Sequence, residues 1–413
     1  MTRRQAWTVA LVAAFTMMVS YVDRSTLSVL APTVREQLGM TKTDYGFLTS
    51  AFSIAYLVAV PISGWWIDRQ GARRGLLMSV LVWSSIAALH ALVPGFAALF
   101  ALRIALGVAE APGFPGAAQT MYRILPEGDR SRGYSLLFTG SSIGSMIAPL
   151  LASWLFTISS WRVAFLATAI VGLSWLPLWL WATRDREVRA RLDTREVGGP
   201  AALPWHVIAR HPIMIRALIG VCAAAPVVGF GLAWSAEYLA KAFAVAQGDQ
   251  GHYLWLPPLG LDLGAIAFGD LAARLKRAPG SPPRALWVAA MALASSLALL
   301  PMTDGPWSAA AVMAVSLAGG GGMYTLVTAD LLARTPAGSV SLTGGIVTAA
   351  QSIALIVAGP LIGSSADATG NYAESALWCG LWIVPGALVW LLWPPAGSFV
   401  ADGVTLPTAT ARS

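Results

Sequence analysis

The sequence predicts an all-α membrane protein with twelve transmembrane helices. Apolar residues fill 56% of the 413 positions and charged residues only 11%, and the mean hydropathy is +0.65. A soluble domain carries about 25% charged residues. The apolar runs are nearly continuous rather than alternating, so they favour helices over a β-barrel, the two structures that satisfy backbone hydrogen bonds in lipid.

Runs of about 20 apolar residues, the length that crosses a bilayer, divide the chain into two groups of six. The first run contains polar residues and is followed by no small-residue cleavage site, so we interpret it as a transmembrane helix rather than a signal peptide. The predicted spans are residues 7–30, 45–66, 75–93, 96–121, 133–156, 162–182, 214–237, 252–273, 285–302, 307–332, 340–364 and 375–394.

A polar, arginine-rich stretch separates the sixth span from the seventh, which predicts two bundles joined by a linker. Lys and Arg residues crowd into alternate loops, and the positive-inside rule then places both termini in the cytoplasm. The net charge of +7 is thereby explained without a nucleic-acid partner. The predicted organisation is an N-terminal bundle (1–182), a cytoplasmic linker (183–210), a C-terminal bundle (211–395) and a disordered cytoplasmic tail (396–413).

Four charged residues lie well inside the spans of the predicted N-terminal bundle, away from the span ends. Asp23 and Arg24 lie in the first, and Arg103 and Glu110 lie in the fourth. An ionisable side chain at the centre of a bilayer costs roughly 2.5–3.5 kcal/mol on insertion scales, so such residues usually face a protein-lined cavity on a substrate or proton path. Their placement predicts a transporter.

The loop after the second span combines a helix-end acid, a turn glycine and a basic cluster. It resembles the signature loop of the major facilitator superfamily, whose fold is two pseudo-symmetric six-helix bundles that expose a central site to each side in turn. The resemblance implies a conformational latch on the inner side, with a weaker counterpart after the eighth span. The latch residues would be Gly64, Asp68, Arg69, Gly71, Arg73 and Arg74, with Asp270 and Arg274 in the counterpart.

Three further motifs narrow the resemblance. They are Tyr21-Val-Asp23-Arg24, the segment from Arg103 to Glu110-Ala-Pro112, and Tyr324-Thr-Leu-Val-Thr-Ala-Asp330. Together they are similar to the anion:cation symporter family, whose bacterial members include permeases for hexuronates, galactonate, glucarate and phthalate. The resemblance implies a monomeric carrier of a small organic anion in the bacterial inner membrane.

The charged residues suggest individual roles. Arg24 is expected to bind a substrate carboxylate, because a guanidinium grips a carboxylate through two hydrogen bonds. Tyr21, three residues earlier, would share the substrate or orient Arg24. Asp23 is expected to carry a proton in response to the occupancy of Arg24. Glu110 would be a second proton site, with Arg103 as its alternating counter-charge, since the two share one stripe of the fourth helix.

Polar contacts to the rest of the substrate are expected from Ser141, Tyr324 and Gln351. The glycine run at 319–322 predicts a smooth, roomy wall in the C-terminal half. Sugar acids and aromatic or aliphatic carboxylates therefore both remain open as substrates.

Other functions are less well supported by the sequence. The alternative is a proton-driven exporter of drugs or metabolites on the same fold. The four histidines are scattered without metal-ligand spacing, and no nucleophile–base pair is apparent, so neither an enzyme, a cofactor nor a metal is expected. Protons are the expected coupling ion, with sodium left open.

Overall fold

The computed structural model describes residues 1–193, 205–275, 283–335, 339–393 and 399, apart from the side chains of 68, 131, 340 and 341. Within these residues the secondary structure is helical. In the described ranges, twelve helical stretches are long and apolar enough to cross a membrane, which confirms the predicted number of spans. The first extends beyond its predicted apolar core at both ends.

The first six spans are formed by seven α-helices, because the fourth span is interrupted after Glu110. The third span ends in a short 3-10 turn, His90–Leu92. They are α1 (Arg3–Gln37), α2 (Lys42–Gln70), α3 (Ala72–Leu89), α4 (Phe96–Glu110), α5 (Gly113–Ile124), α6 (Glu127–Ile158) and α7 (Trp161–Ala182).

The predicted linker contains two short helices, α8 (Arg186–Leu192) and α9 (Trp205–Arg210). The remaining spans are formed by α10 (Pro212–Gly229), α11 (Ser235–Phe243), α12 (Gly251–Leu254), α13 (Leu256–Arg274), α14 (Arg284–Ser295), α15 (Pro306–Leu332), α16 (Val340–Thr369) and α17 (Ala373–Leu392). A π-helical turn, Phe230–Trp234, joins α10 to α11 within the seventh span.

Local sequence explains how the long helices begin. Thr2 and Gln5 form a capping box at the start of α1, and Thr41 and Asp44 form another at the start of α2. Each box satisfies two backbone N–H groups that a helix N-terminus leaves without partners.

The chain forms two compact units that differ from two consecutive halves. The first unit contains Met1–Glu196 together with Leu232–Pro258 and Gly359–Asn371. The second contains Val197–Gly231, Leu259–Ala358 and Tyr372–Ser413. The seventh, eighth and eleventh spans are therefore divided, because one end of each packs with the first six spans.

The two later segments of the first unit, Leu232–Pro258 and Gly359–Asn371, contact the end of the unit where α1 ends. This end is called the distal end below. Arg35 of α1 makes two hydrogen bonds to Glu237 of α11, at 2.8 and 3.3 Å. The Tyr45 hydroxyl donates to the carbonyl oxygen of Ala233 at 2.6 Å. Asp367 of α16 accepts hydrogen bonds from the first turn of α2. Polar contacts thus fix both segments, Leu232–Pro258 and Gly359–Asn371, to the N-terminal helices.

Within the predicted linker and tail, the structure describes two short helices and one buried residue. Helices α8 and α9 lie in the linker. Phe399, within the tail predicted to be disordered, is buried, with its ring 4.5 Å from that of His211. Its backbone N–H also donates to the carbonyl oxygen of Arg334. A large apolar side chain in this polar tail offers a buried contact that composition alone does not reveal.

Candidate functional site

The charged residues of the first and fourth spans meet inside the first unit. The Arg24 Nε donates to Glu110 Oε2 at 2.5 Å, and the Ser20 hydroxyl donates to the same oxygen at 2.9 Å. Ser20, Asp23 and Arg24 share one face of α1, because residues three and four apart lie together on a helix. The Glu110 side chain is fully buried, whereas that of Arg24 is 22% exposed.

Glu110 is the last residue of α4, at a break in the fourth span. Helix α5 begins at Gly113, after Pro112. Pro112 and Pro115 have no backbone N–H, so the helical hydrogen bonds they would donate are missing. The carboxylate that binds Arg24 therefore sits where its helix is least constrained.

Three aromatic rings surround the Arg24 guanidinium. Its central carbon lies 4.6 Å from the ring centre of Tyr56, 5.1 Å from that of Phe52 and 5.2 Å from that of Tyr21. Phe52 and Tyr56 are one turn apart on α2 and their rings stack. Cation–π attraction contributes about 0.5–2 kcal/mol, more as water is excluded. The rings of Tyr21, Phe52 and Tyr56 thus hold the guanidinium in place between α1 and α2.

The other acid and base of the cluster, Asp23 and Arg103, are also buried, at 2% and 4% exposed. Asp23 lies beside the Thr168 hydroxyl. Nε and Nη2 of Arg103 have no hydrogen-bond partner among the described residues. Asp23 lies within electrostatic range of Arg103, Arg24 and Glu110. The cluster of four groups is neutral when all four are ionised.

The expected role of Arg103 as an alternating counter-charge of Glu110 stays a prediction. In this structure the direct partner of Glu110 is Arg24. The reason is geometric: seven residues separate Arg103 from Glu110 by roughly 10 Å along the helix, while the adjacent α1 brings Arg24 into contact. The resting partner of Arg24 is likewise Glu110 rather than Asp23.

Ser141 was predicted to contact substrate. Its hydroxyl donates to the carbonyl oxygen of Leu137 in its own helix, at 3.2 Å. Ser142 and Ser145 make the same type of bond, to Phe138 and Ser141. Hydroxyls in membrane helices commonly bond to the preceding turn, and in this structure all three donors are occupied in that way.

Tyr324 and Gln351 belong to the second unit. The Tyr324 hydroxyl lies beside Thr328 and Thr348, and Gln351 is partly exposed on α16. Their predicted substrate contacts stay a prediction, since the described site lies in the first unit.

The glycine run before Tyr324 does not form a roomy wall. Glycines 319–322 are all buried. A Cβ added at Gly319 would come within 2.2 Å of the Ala294 backbone of α14, and one at Gly321 within 2.3 Å of the Leu261 carbonyl oxygen of α13. Small residues let membrane helices approach closely. The run therefore serves helix packing, and the prediction of an open surface was wrong.

The predicted latch residues of the first unit contact the linker. Gly71 has φ +82°, and a Cβ there would lie 2.8 Å from the Cα of Asp193, directly after α8. Arg73 donates to the hydroxyl of Thr183 at 3.2 Å. Arg69 lies over the ring of Trp65, 4.0 Å from its centre. The loop thus holds α8 against the bundle.

The other latch predictions have simpler surroundings. Arg74 is exposed, and a Cβ at Gly64 would meet no atom within 4 Å. The side chain of Asp68 lies outside the described part of the structure. Asp270 and Arg274 form an exposed salt bridge with each other at 2.7 Å, one turn apart on α13. A latch role for these residues remains a prediction.

Several site residues were not predicted from the sequence. Ser20 precedes Arg24 by one turn, a spacing that could have suggested it. Phe52 and Tyr56 are also one turn apart, but aromatic pairs are common in membrane helices and carry no specific signal. No group of three or more His, Cys, Asp or Glu residues in the described ranges could hold a metal ion.

Comparison with known proteins identifies the family. The model of the Major Facilitator Superfamily matches residues 13–359. The chain belongs to the Major Facilitator Superfamily. Members of this superfamily are membrane transporters rather than enzymes. A bacterial homologue of the human lysosomal transporter Spinster has the same fold, with a TM-score of 0.79 at 16% identity over 96% of this chain and all of the other.

Relatives within the superfamily have named substrates. A probable galactarate/D-glucarate transporter of Bacillus subtilis is 25% identical, covering 94% of this chain and 91% of its own. A D-galactonate transporter of Escherichia coli is 26% identical, covering 91% and 93%. A probable sulfoacetate transporter of Cupriavidus necator is 26% identical, covering 91% of each chain. These names agree with the resemblance to anion:cation symporters.

Proposed function

We propose that this chain is a proton-coupled importer of a small organic acid, most simply a sugar acid. The observation that carries the proposal is the Arg24–Glu110 ion pair. A guanidinium in an apolar span, walled by aromatic rings, is suited to an anionic ligand, and its present partner is an internal carboxylate. The named substrates of the relatives, which are carboxylates and a sulfonate, support the same class.

The pair suggests how substrate and proton are coupled. An incoming carboxylate replaces Glu110 on Arg24, because both bind the same guanidinium. The cluster of Asp23, Arg24, Arg103 and Glu110 then gains one negative charge, which is costly inside a membrane. Taking up one proton, on Glu110 or Asp23, restores neutrality. Each substrate would thus bring in at least one proton per carboxylate.

The distal end supplies a second element of the proposal. Alternating access requires the path to close on one side at a time. In the described conformation, Arg35, Tyr45 and Asp367 fix the ends of the seventh and eleventh spans to the N-terminal helices. We infer that these contacts close the distal side and must break before a substrate can enter from there.

The test is uptake by purified protein in proteoliposomes with an inward proton gradient. Sugar acids, aromatic carboxylates and aliphatic carboxylates are screened in parallel, with Arg24→Gln as the site variant. Arg132→Gln is the matched control, because that side chain is 74% exposed. Uptake of one acid that depends on the gradient and is lost only in Arg24→Gln supports the proposal.

Two results would contradict it. Gradient-driven efflux of neutral or cationic compounds, with no acid transported, would favour the exporter alternative. Equal stimulation by a sodium gradient in the absence of a proton gradient would retain the substrate class but reject proton coupling.

A further inference from the structure

A cavity of about 310 Å³ lies at the end of the first unit opposite the distal end. It is lined by the first turns of α1, the last turn of α7 and the start of α8. Its volume falls within the roughly 300–1,000 Å³ of small-molecule sites. It belongs neither to the Arg24 cluster nor to the predicted latch.

Two arginines give this cavity its charge. Arg4 and Arg184 both line it, on α1 and after α7, and both are exposed. Neither forms a salt bridge among the described residues, whereas the neighbouring Arg3 is paired with Asp129 at 2.9 Å. The acid that also lines the cavity, Asp185, is the N-cap of α8 and accepts the backbone N–H groups of Glu187 and Val188. The cavity therefore presents two guanidinium groups without a bound carboxylate.

The wall on the membrane side is apolar. Trp181 lines the cavity, is 51% exposed, and lies with its ring centre 5.8 Å from the Arg184 guanidinium carbon. Arg4, Thr8 and Leu11 follow one stripe of α1, and Leu11 is 54% exposed. Leu178, one turn before Trp181 on α7, is 38% exposed. Exposed apolar side chains, Leu11 on α1 and Leu178 on α7, thus follow one turn beyond the residues that line the cavity.

Two arginines in the cavity, with exposed apolar side chains beyond it, match one class of ligand. Guanidinium groups bind phosphate through paired hydrogen bonds, and Trp is favoured at the membrane–water interface. Basic pockets between transmembrane helices bind anionic lipid headgroups. We propose that this cavity, here called the α1–α7 pocket, binds the phosphate of an anionic phospholipid, whose acyl chains lie along Leu11 and Leu178.

The pocket is formed by three parts of the chain: the start of α1, the end of α7 and the start of α8. Val188 of α8 lines it, and α8 is itself held by Gly71 and by Arg123, which donates to the Leu192 carbonyl oxygen at 2.9 Å. A headgroup bound to Arg4 and Arg184 would tie the start of α1 to the start of the linker. Lipid binding should therefore stabilise the first unit against heat.

The test uses the full chain in neutral detergent, with phosphatidylglycerol, phosphatidylcholine or inorganic phosphate added. Native mass spectrometry counts bound lipid, and tryptophan fluorescence follows thermal unfolding. The site variant is Arg4→Gln/Arg184→Gln. The matched control, Arg132→Gln/Arg186→Gln, removes the same charge from exposed positions outside the pocket.

We expect one phosphatidylglycerol to bind at least fivefold more tightly than phosphatidylcholine and to raise the melting temperature. The site variant should lose this preference, and the control should keep it. If the double variant does not fold, Arg184→Gln alone is used, since the exposed Arg184 side chain lies over the ring of Trp181 rather than in the bundle interior.

Three outcomes would overturn the proposal. Equal loss in the site and control variants would indicate a general effect of surface charge. Equal binding of phosphatidylcholine would show that headgroup charge is not recognised. Equal protection by inorganic phosphate, without lipid bound, would show a site for the free anion rather than for a lipid.

Discussion

Arg24 and Glu110, on separate helices, are joined by a 2.5 Å hydrogen bond, and the same Glu110 oxygen accepts from Ser20. The other carboxylate oxygen, Oε1, has no partner among the described residues. The guanidinium that we expect to bind substrate is therefore occupied by an internal carboxylate, held at the break between α4 and α5.

Replacing Arg24 with lysine tests the planar geometry of the anion site. Lysine keeps the positive charge but loses the paired donors and the flat surface that packs on Tyr56 and Phe52. We expect Arg24→Lys to reduce substrate affinity by at least tenfold, and Arg24→Gln to abolish uptake. The measurement is the KM of proteoliposome uptake. Unchanged substrate affinity in Arg24→Lys would show that a positive charge at this position is sufficient for substrate binding.

The aromatic rings around Arg24 are tested at Tyr56. Tyr56→Phe keeps the ring, whereas Tyr56→Leu removes it. Because a cation–π contact contributes about 0.5–2 kcal/mol, Tyr56→Leu should weaken substrate binding by roughly 2- to 30-fold. Tyr56→Phe should stay close to the parent protein. If Tyr56→Phe binds substrate more weakly than Tyr56→Leu, the Tyr56 hydroxyl rather than its ring is important for binding.

The distal contact between Arg35 and Glu237 should favour the conformation described here. Glu237 is 2% exposed, so Arg35→Gln removes one partner of a buried ion pair, a change that commonly costs about 3–5 kcal/mol. We expect greater distal accessibility, measured by labelling a cysteine at Thr33 in a Cys222→Ser/Cys379→Ala background. Lys241→Gln, an exposed change on α11, is the control.

The exchanged pair Arg35→Glu/Glu237→Arg provides the complementary test. Partial recovery of the parental labelling rate would confirm that the two charges act on each other. Labelling that stays as fast as in Arg35→Gln would instead point to local disruption of α1.

A buried cluster in the second unit should contribute to stability. Arg216, which is 1% exposed, donates to Asp330 Oδ2 at 3.0 Å, and Arg334 donates to both oxygens of Asp330. The Arg216 guanidinium also lies 3.9 Å from the ring centre of Trp390. Asp330→Asn leaves two arginines facing one neutral amide.

We expect Asp330→Asn to lower the melting temperature in detergent by several degrees, because breaking a buried ion pair costs about 3–5 kcal/mol. The control is Asp304→Asn, at an exposed position between the ninth and tenth spans. A melting temperature equal to that of the control would mean that the cluster is not a major source of stability.

The number of spans could be predicted from the sequence because it depends only on apolar length. Charges at bilayer depth could also be found, since a residue such as Glu110 stands out in an apolar run. Their partners could not, because spacing within one helix does not reveal which neighbouring helix approaches. Arg103 and Glu110 share a stripe, yet it is α1 that supplies the partner of Glu110.

The glycine run illustrates a second limit on what the sequence predicts. A run such as 319–322 is compatible with an open wall or with close helix contact, and composition does not distinguish the two. Only the nearby backbones of α13 and α14 show that these glycines pack. The contact between Arg35 and Glu237 was hidden for a related reason, because it joins residues 202 positions apart.

The most direct test of the account is to compare accumulation with exchange in Glu110→Gln. Glutamine has nearly the same shape but carries no proton between states. We predict that Glu110→Gln loses uphill accumulation driven by a proton gradient but retains counterflow exchange of the same substrate. Glu187→Gln, the same change on the exposed surface of α8, should behave as the parent protein. Accumulation at the parental level in Glu110→Gln would contradict the proposed coupling.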